Sequence, residues 1–141
     1  MNKNIAQIKP RKVYKDQNSN VIDLNNPTFR KTSLLIFISI YCVRCIELLT
    51  NLNKLKSISD LPLIIFSDGD KKENREIGEA FLDQISIISI TEEQMYKDFQ
   101  IKTHPSYIIL GENKNFIESG NIINIDALIE KFILHNTGKT F

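Results

Sequence analysis

The 141-residue sequence predicts an α/β protein: a central mixed β-sheet flanked by helices, preceded by an N-terminal β-hairpin extension. Three observations predict it. The stretch from Leu34 to Ile40 is almost continuously apolar, as a central strand covered on both faces requires. Strand-like and helix-like segments then alternate as far as Phe99. Beyond them, two strand-like runs, Ser106 to Leu110 and Asn115 to Glu118, are joined by the turn Gly111-Glu112-Asn113-Lys114, which makes them an antiparallel pair.

The hairpin comes first. Lys12 to Lys15 and Val21 to Leu24 flank Asp16-Gln17-Asn18-Ser19-Asn20, a cluster of turn formers, so the extension covers about residues 12–24. Asn25-Asn26-Pro27 breaks the chain, and Phe29 to Thr32 leads into the central strand. After Cys42, apolar residues at Ile46, Leu48, Leu49, Leu52 and Leu55 fit a helix to about Lys56. Leu61 to Phe66 is a second buried strand, with Pro62 tolerated at its start. Asp70 can cap a helix from Lys71 to Leu82, whose apolar side carries Ile77, Ala80, Phe81 and Leu82. Ile85 to Ile90 is a short β-type run, and Thr91-Glu92-Glu93-Gln94 matches a capping box for a helix from Glu92 to Phe99. A last amphipathic helix runs from Ile125 to His135, with Ala127, Leu128, Phe132 and Ile133 as its core face. The length is most simply that of one domain, residues 1–141.

Apolar residues make up 42% and charged residues 25%, an ordinary globular balance. A net charge of +1 gives no bulk attraction to nucleic acid or acidic lipid, so neither is expected as a partner. No apolar run approaches the ~18–20 residues of a membrane span. Met1 to Lys9 lacks the apolar stretch of a signal peptide, and the expected location is cytoplasmic. Asp68 and Asp70 read as turn and cap residues, Glu92 and Glu93 as helix-start charge, and His135 as a helix-end residue.

The two cysteines are Cys42 and Cys45, in Tyr41-Cys42-Val43-Arg44-Cys45, between the central strand and the first helix. In a reducing compartment this spacing points to catalysis or metal binding rather than to a structural staple. A helix N-terminus stabilises negative charge and lowers a thiol's pKa toward ~3.5–7.5, which makes Cys42 the expected nucleophile. Cys45 lies one turn further in, on the same helix face, and is the expected resolving thiol. Arg44 adds a permanent positive charge beside them. No cofactor other than the dithiol/disulfide itself is expected.

Together with His104-Pro105, which immediately precedes Ser106-Tyr107-Ile108-Ile109-Leu110, this motif resembles the thioredoxin superfamily over nearly the whole chain. The resemblance implies the thioredoxin fold, a cis-proline at Pro105 facing the cysteines, and a substrate-binding surface of Tyr41, Val43, His104 and Pro105. It also puts His104 in front of the pair, where with Arg44 it would favour the thiolate and make the couple more oxidising than ordinary thioredoxin. The N-terminal hairpin is similar to that of TlpA/ResA-type reductases and peroxiredoxins, although the Thr-x-x-Cys pattern of peroxidases is absent, with Ser39 at that place. Ile65 to Asp70 and Glu118 to Asn124 resemble MauD-type proteins, which help form disulfides in a partner. The small, leaderless form resembles thioredoxin-like proteins encoded with bacterial peptide toxins, such as SkfH of the sporulation killing factor system.

Three departures from that pattern stand out. Tyr41 replaces the usual Trp, Thr50 replaces a helix proline, and Ile36 replaces a buried carboxylate that could take a proton from the second cysteine. The last, together with the cation at Arg44, shifts the expectation from a general reductant to a dedicated disulfide-forming or isomerising helper. The expected function is therefore thiol–disulfide exchange with a peptide or protein such as a bacteriocin or killing-factor precursor, with a cellular thioredoxin system as a further partner. Two alternatives stay open: a metal or cluster binder, with Cys42, Cys45 and His104 as ligands for Zn or Cu, and a non-catalytic binding or immunity module.

Overall fold

The computed structural model describes residues 13–24, 33–52, 63–81, 85–111 and 116–137. Several expected features lie outside the described residues: Lys12, the break at Asn25 to Pro27 with the lead-in to Thr32, and the helix end at Leu55 and Lys56. The same holds for Leu61 and Pro62, Leu82, Glu112 to Asn115, and the side chains of Phe132, Ile133 and His135.

Strands β1 (Val13–Lys15) and β2 (Val21–Asp23) form the antiparallel hairpin. The main sheet contains β3 (Ser33–Ile38), β4 (Leu63–Ser67), β5 (Ser86–Ser89), β6 (Ser106–Leu110) and β7 (Phe116–Asn121). Helices α1 (Val43–Thr50), α2 (Lys71–Ala80), α3 (Glu92–Phe99) and α4 (Ile125–Thr137) connect or follow these strands. The order across the sheet is β5-β4-β3-β6-β7. β3 runs parallel to β4 and β4 to β5, whereas β6 is antiparallel to both β3 and β7.

All six residues of β3 are buried, which accounts for the unbroken apolar run from Leu34 to Ile38. Alternate side chains enter two separate cores. Leu34, Ile36 and Ile38 pack with Cys45, Leu48 and Leu49 of α1 and with Ile125 and Leu128 of α4. Leu35 and Phe37 pack on the opposite face with Met95 and Phe99 of α3 and with Tyr14 and Leu24 of the hairpin. There Phe37, Phe66 and Phe99 form a triangle with ring centroids 4.9 to 5.0 Å apart, and Tyr14 meets Phe66 edge-on at 5.3 Å. The Tyr14 hydroxyl donates to Asp98 Oδ2 at 2.7 Å, so the hairpin is docked by both an apolar and a polar contact.

Helix starts follow the expected chemistry with one change. Asp70 caps α2 in a full capping box with Glu73. At α3 Thr91 Oγ1 accepts from the Gln94 N–H at 3.0 Å, while the Gln94 side-chain amide turns instead to Asp98 Oδ1 at 2.8 Å.

Gln17, expected as one of several turn residues, is buried and serves the sheet edge. Its side-chain amide donates to the Ile85 carbonyl at 3.0 Å and accepts from the Ile87 N–H at 2.8 Å. The side chain thus imitates a neighbouring strand for part of β5, satisfying backbone groups that an edge strand leaves unpaired. The turn that aims it is fixed by Asp16, whose Oδ1 accepts from the N–H groups of Asn18 and Asn20, both at 2.9 Å. Replacing Gln17 with Ala should lower unfolding stability by about 1–3 kcal/mol, because buried backbone groups lose their partners. Denaturant titration with amide exchange at Ile87 checks this: unchanged stability and protection would show that β5 does not depend on the hairpin.

Candidate active site

The C-terminal end of β3 carries the site. Ser39, buried, follows the strand, and residues Ile40 and Tyr41 turn the chain into α1. Cys42 is the N-cap of that helix: its backbone is extended and its Sγ accepts from the Cys45 N–H at 3.3 Å. A sulfur takes the place that a hydroxyl or carboxylate oxygen usually fills, facing otherwise unpaired N–H groups. Cys42 is half-buried and Cys45 has no exposed surface, and both are free thiols.

Burial, above all, pushes the Cys45 thiol up from the ordinary value near 9.0 to about 12. The adjacent Cys42 sulfur and the more distant charge of Asp68 add to that rise, while a hydrogen bond from the Ser39 N–H to Cys45 Sγ, at 3.4 Å, opposes it. The two thiols of one motif therefore occupy unlike environments, one at the surface and one in the core.

The loop before β6 faces Cys42. The His104–Pro105 peptide bond is cis, and the His104 carbonyl lies 3.9 Å from Cys42 Sγ, within reach of the thiol hydrogen. Ser106 Oγ donates to the Thr103 carbonyl at 2.6 Å, and the Pro105 carbonyl accepts from the Ile122 N–H at 2.9 Å, which ties the loop to the segment after β7.

The His104 ring is not where it was expected. Its Nε2 lies 3.3 Å from Met95 Sδ and its Nδ1 lies 3.9 Å from Glu92 Oε2, so the imidazole turns to α3, while the backbone carbonyl meets the thiol. The physical reason is the half-buried niche beside Met95, which holds the ring while the carbonyl takes the position facing Cys42. The ring contacts of His104 are thus with α3 rather than with the dithiol. Among the described residues no group of three or more His, Cys, Asp or Glu side chains is arranged to hold a metal ion.

Tyr41 and Val43 flank Cys42 with 85% and 74% of their surface exposed, so both can meet a partner. Arg44 is exposed and lines a cavity of about 350 Å³ with Glu47, Asn51, Pro105 and Ile123. Ile123 was not anticipated, although it is 78% exposed beside Pro105.

Asp68 was read as a turn residue, and its placement corrects that. Its Oδ2 accepts from the Ser39 hydroxyl and its Oδ1 from the Ile40 N–H, both at 2.8 Å. The position at Ile36 is apolar and fully buried, yet a carboxylate reaches the dithiol loop from the end of β4 instead. The available signal was topological: parallel neighbours β3 and β4 deliver the loops at their C-terminal ends to the same edge of the sheet. Gly69 makes the approach possible, since a Cβ there would lie 2.8 Å from Asn74 Oδ1 and 3.0 Å from Ile40 Cγ2.

This arrangement of strands, helices and dithiol defines the thioredoxin fold, and solved structures agree. The chain is similar to StoA from Bacillus subtilis with a TM-score of 0.69 and 16% identity, covering 88% of this chain and 98% of that one. It is similar to DsbF from MTB with a TM-score of 0.75 and 11% identity, over 91% and 97% of the two chains. The thioredoxin domain of a thiol-disulfide oxidoreductase from Bacteroides vulgatus matches with a TM-score of 0.68 and 17% identity, over 86% and 92%. At these identities the likeness is one of fold. No family model matches the sequence, and no curated protein matches it. Among the described residues no helix is long and apolar enough to cross a membrane.

The raised Cys45 thiol has a consequence for stability. Below the unfolded thiol's value near 9.0 both states hold the proton; between there and about 12 only the folded state does. Stability of the reduced protein should therefore fall over that window by up to ~1.4 kcal/mol per pH unit. Chemical unfolding of the reduced protein and of Cys45→Ala, each at about pH 8 and about pH 10, isolates this contribution. Equal losses in the two proteins would mean that the Cys45 thiol is not held protonated by burial.

Proposed function

We propose that this chain is a thiol–disulfide oxidoreductase that exchanges disulfides with a peptide or protein through Cys42 and Cys45. The observation that carries the proposal is the pairing of a half-exposed Cys42, capping α1, with a fully buried Cys45 whose N–H meets the Cys42 sulfur at 3.3 Å. The exposed thiol can meet a partner and the buried one can reach only its neighbour. In the reducing direction, the Cys42 thiolate attacks one sulfur of the partner's disulfide, a mixed disulfide forms, and the other partner sulfur leaves as a thiolate. Cys45 then attacks Cys42 Sγ, the internal disulfide forms, and the partner's remaining sulfur leaves with its electron pair. Disulfide donation is the same sequence in reverse.

Tyr41, Val43, Pro105 and the His104 carbonyl are the proposed contacts for the partner, because they surround the exposed sulfur. The finer proposal is a dedicated partner such as a bacteriocin or killing-factor precursor, with a cellular thioredoxin system closing the cycle. Its support is the resemblance of Ile65 to Asp70 and Glu118 to Asn124 to disulfide-forming helpers, and that of the small chain to thioredoxin-like proteins encoded with bacterial peptide toxins. With the His104 ring turned to α3, the expectation of an oxidising couple rests on the exposed cation of Arg44 and the positive end of α1.

Cys45→Ser should accumulate a mixed disulfide on Cys42 when mixed with a disulfide-bonded peptide, visible by mass spectrometry as one adduct per chain. Cys42→Ser should form none and should lose exchange activity to background. Adducts in Cys42→Ser equal to those in Cys45→Ser would contradict the assignment of roles, and none in either would remove the oxidoreductase function.

A further inference from the structure

The dithiol chemistry leaves the Cys45 proton unassigned. Cys45 has no exposed surface, yet it must attack the mixed disulfide as a thiolate. The titratable groups that face it are few. Cys42 lies on the same helix, and at that moment its sulfur is already bonded to the partner and cannot accept a proton. Tyr107 of β6 shares the core cluster with Cys45, but its hydroxyl donates to Glu118. Asp68, from the end of β4, is the remaining group among the described residues, and its charge is felt at Cys45.

Ser39 joins the two. Its N–H donates to Cys45 Sγ at 3.4 Å, its hydroxyl donates to Asp68 Oδ2 at 2.8 Å, and its carbonyl accepts from the Cys42 N–H at 3.1 Å. The Ser39 hydroxyl also accepts from the Tyr41 N–H at 3.2 Å, so the residue is held on every polar atom. Asp68 completes the clamp through the Ile40 N–H. A carboxylate serving only to close the loop after β4 would have no need of partners in the loop after β3.

We propose that Asp68 accepts the proton that Cys45 gives up in the resolving step, held at the dithiol loop by its hydrogen bonds from the Ser39 hydroxyl and the Ile40 N–H. The inference rests on the dithiol exchange proposed above. In the step, the Cys45 S–H bond breaks and its proton passes to the Asp68 carboxylate. The electron pair left on sulfur forms the Cys45–Cys42 bond, the bond from Cys42 to the partner sulfur breaks, and the partner leaves as a thiolate. In reverse, a partner thiolate opens the internal disulfide and the protonated Asp68 returns its proton to Cys45.

Stopped-flow reaction of the reduced full chain with dithiobis-nitrobenzoate separates the two halves. One nitrothiolate is released when Cys42 attacks, and a second when Cys45 resolves the adduct. Asp68→Asn should leave the first phase near the wild-type rate and slow the second by roughly 10²-fold at neutral pH, with the deficit closing as hydroxide replaces the carboxylate at alkaline pH. Ser39→Ala, which keeps the N–H to Cys45 but cuts the link to Asp68, should show the same selective defect, and Asp68→Glu should recover part of the rate. A second phase unchanged in Asp68→Asn, or two phases slowed equally at every pH, would overturn the role of Asp68 while leaving the exchange function standing. Wild-type protein releasing one nitrothiolate only, with no internal disulfide formed, would instead overturn the exchange function and this inference with it.

Discussion

The burial of Cys45 is the constraint on which the rest of the site depends. Its side chain belongs to the core formed by Leu34, Ile36 and Ile38 of β3, Leu48 and Leu49 of α1, and Ile125 and Leu128 of α4. Because the thiol is packed there, the start of α1 is fixed against the end of β3, and Cys42, three residues earlier, is held at the helix terminus. Desolvation keeps Cys45 protonated, while Cys42 retains solvent contact and the donated N–H of Cys45. One motif thereby yields two thiols in unlike settings, one accessible to solvent and the other packed in the core.

Three separated segments meet around that pair because of how the sheet is wound. β3 and β4 are parallel, so the loop bearing the cysteines and the loop bearing Asp68 emerge at one edge. β6 is antiparallel to β3, so its start, rather than its end, reaches the same edge and brings His104 and Pro105 opposite Cys42. On the opposite face of the sheet the aromatic triangle of Phe37, Phe66 and Phe99 anchors α3 and the hairpin. α3 also connects this face to the site, since Met95 and Glu92 hold the His104 ring.

The elements visible in the sequence were those with a strong local signature. The apolar run of β3 and the capping residues Asp70 and Thr91 place their elements to within a residue or two. The cysteine pair and His104-Pro105 were visible because their residue types are rare and chemically specific. What the sequence hid depends on direction and register, which local patterns do not encode. An aspartate after a strand looks the same whether it caps a helix or bonds a neighbouring loop, so Asp68 passed for a turn residue. A glutamine among turn formers gives no sign that its amide will pair with Ile85 and Ile87, some seventy residues later. A histidine before a proline shows its identity but not which of its groups, ring or carbonyl, will face the thiol. Ile36 is apolar and buried as read, while the carboxylate that bonds the dithiol loop, Asp68, comes from the loop after a different strand.

The central claim is that Cys42 and Cys45 form one reversible two-electron couple. Equilibration of the full chain across a series of glutathione redox buffers, followed by acid quench, thiol labelling and mass spectrometry of the intact chain, tests it most directly. The account predicts a single transition between a doubly labelled and an unlabelled chain, with ~30 mV per tenfold change in the ratio of forms, and its loss in either single-cysteine variant. A chain that stays doubly labelled at every potential, or that passes only through singly labelled glutathione adducts, would contradict it.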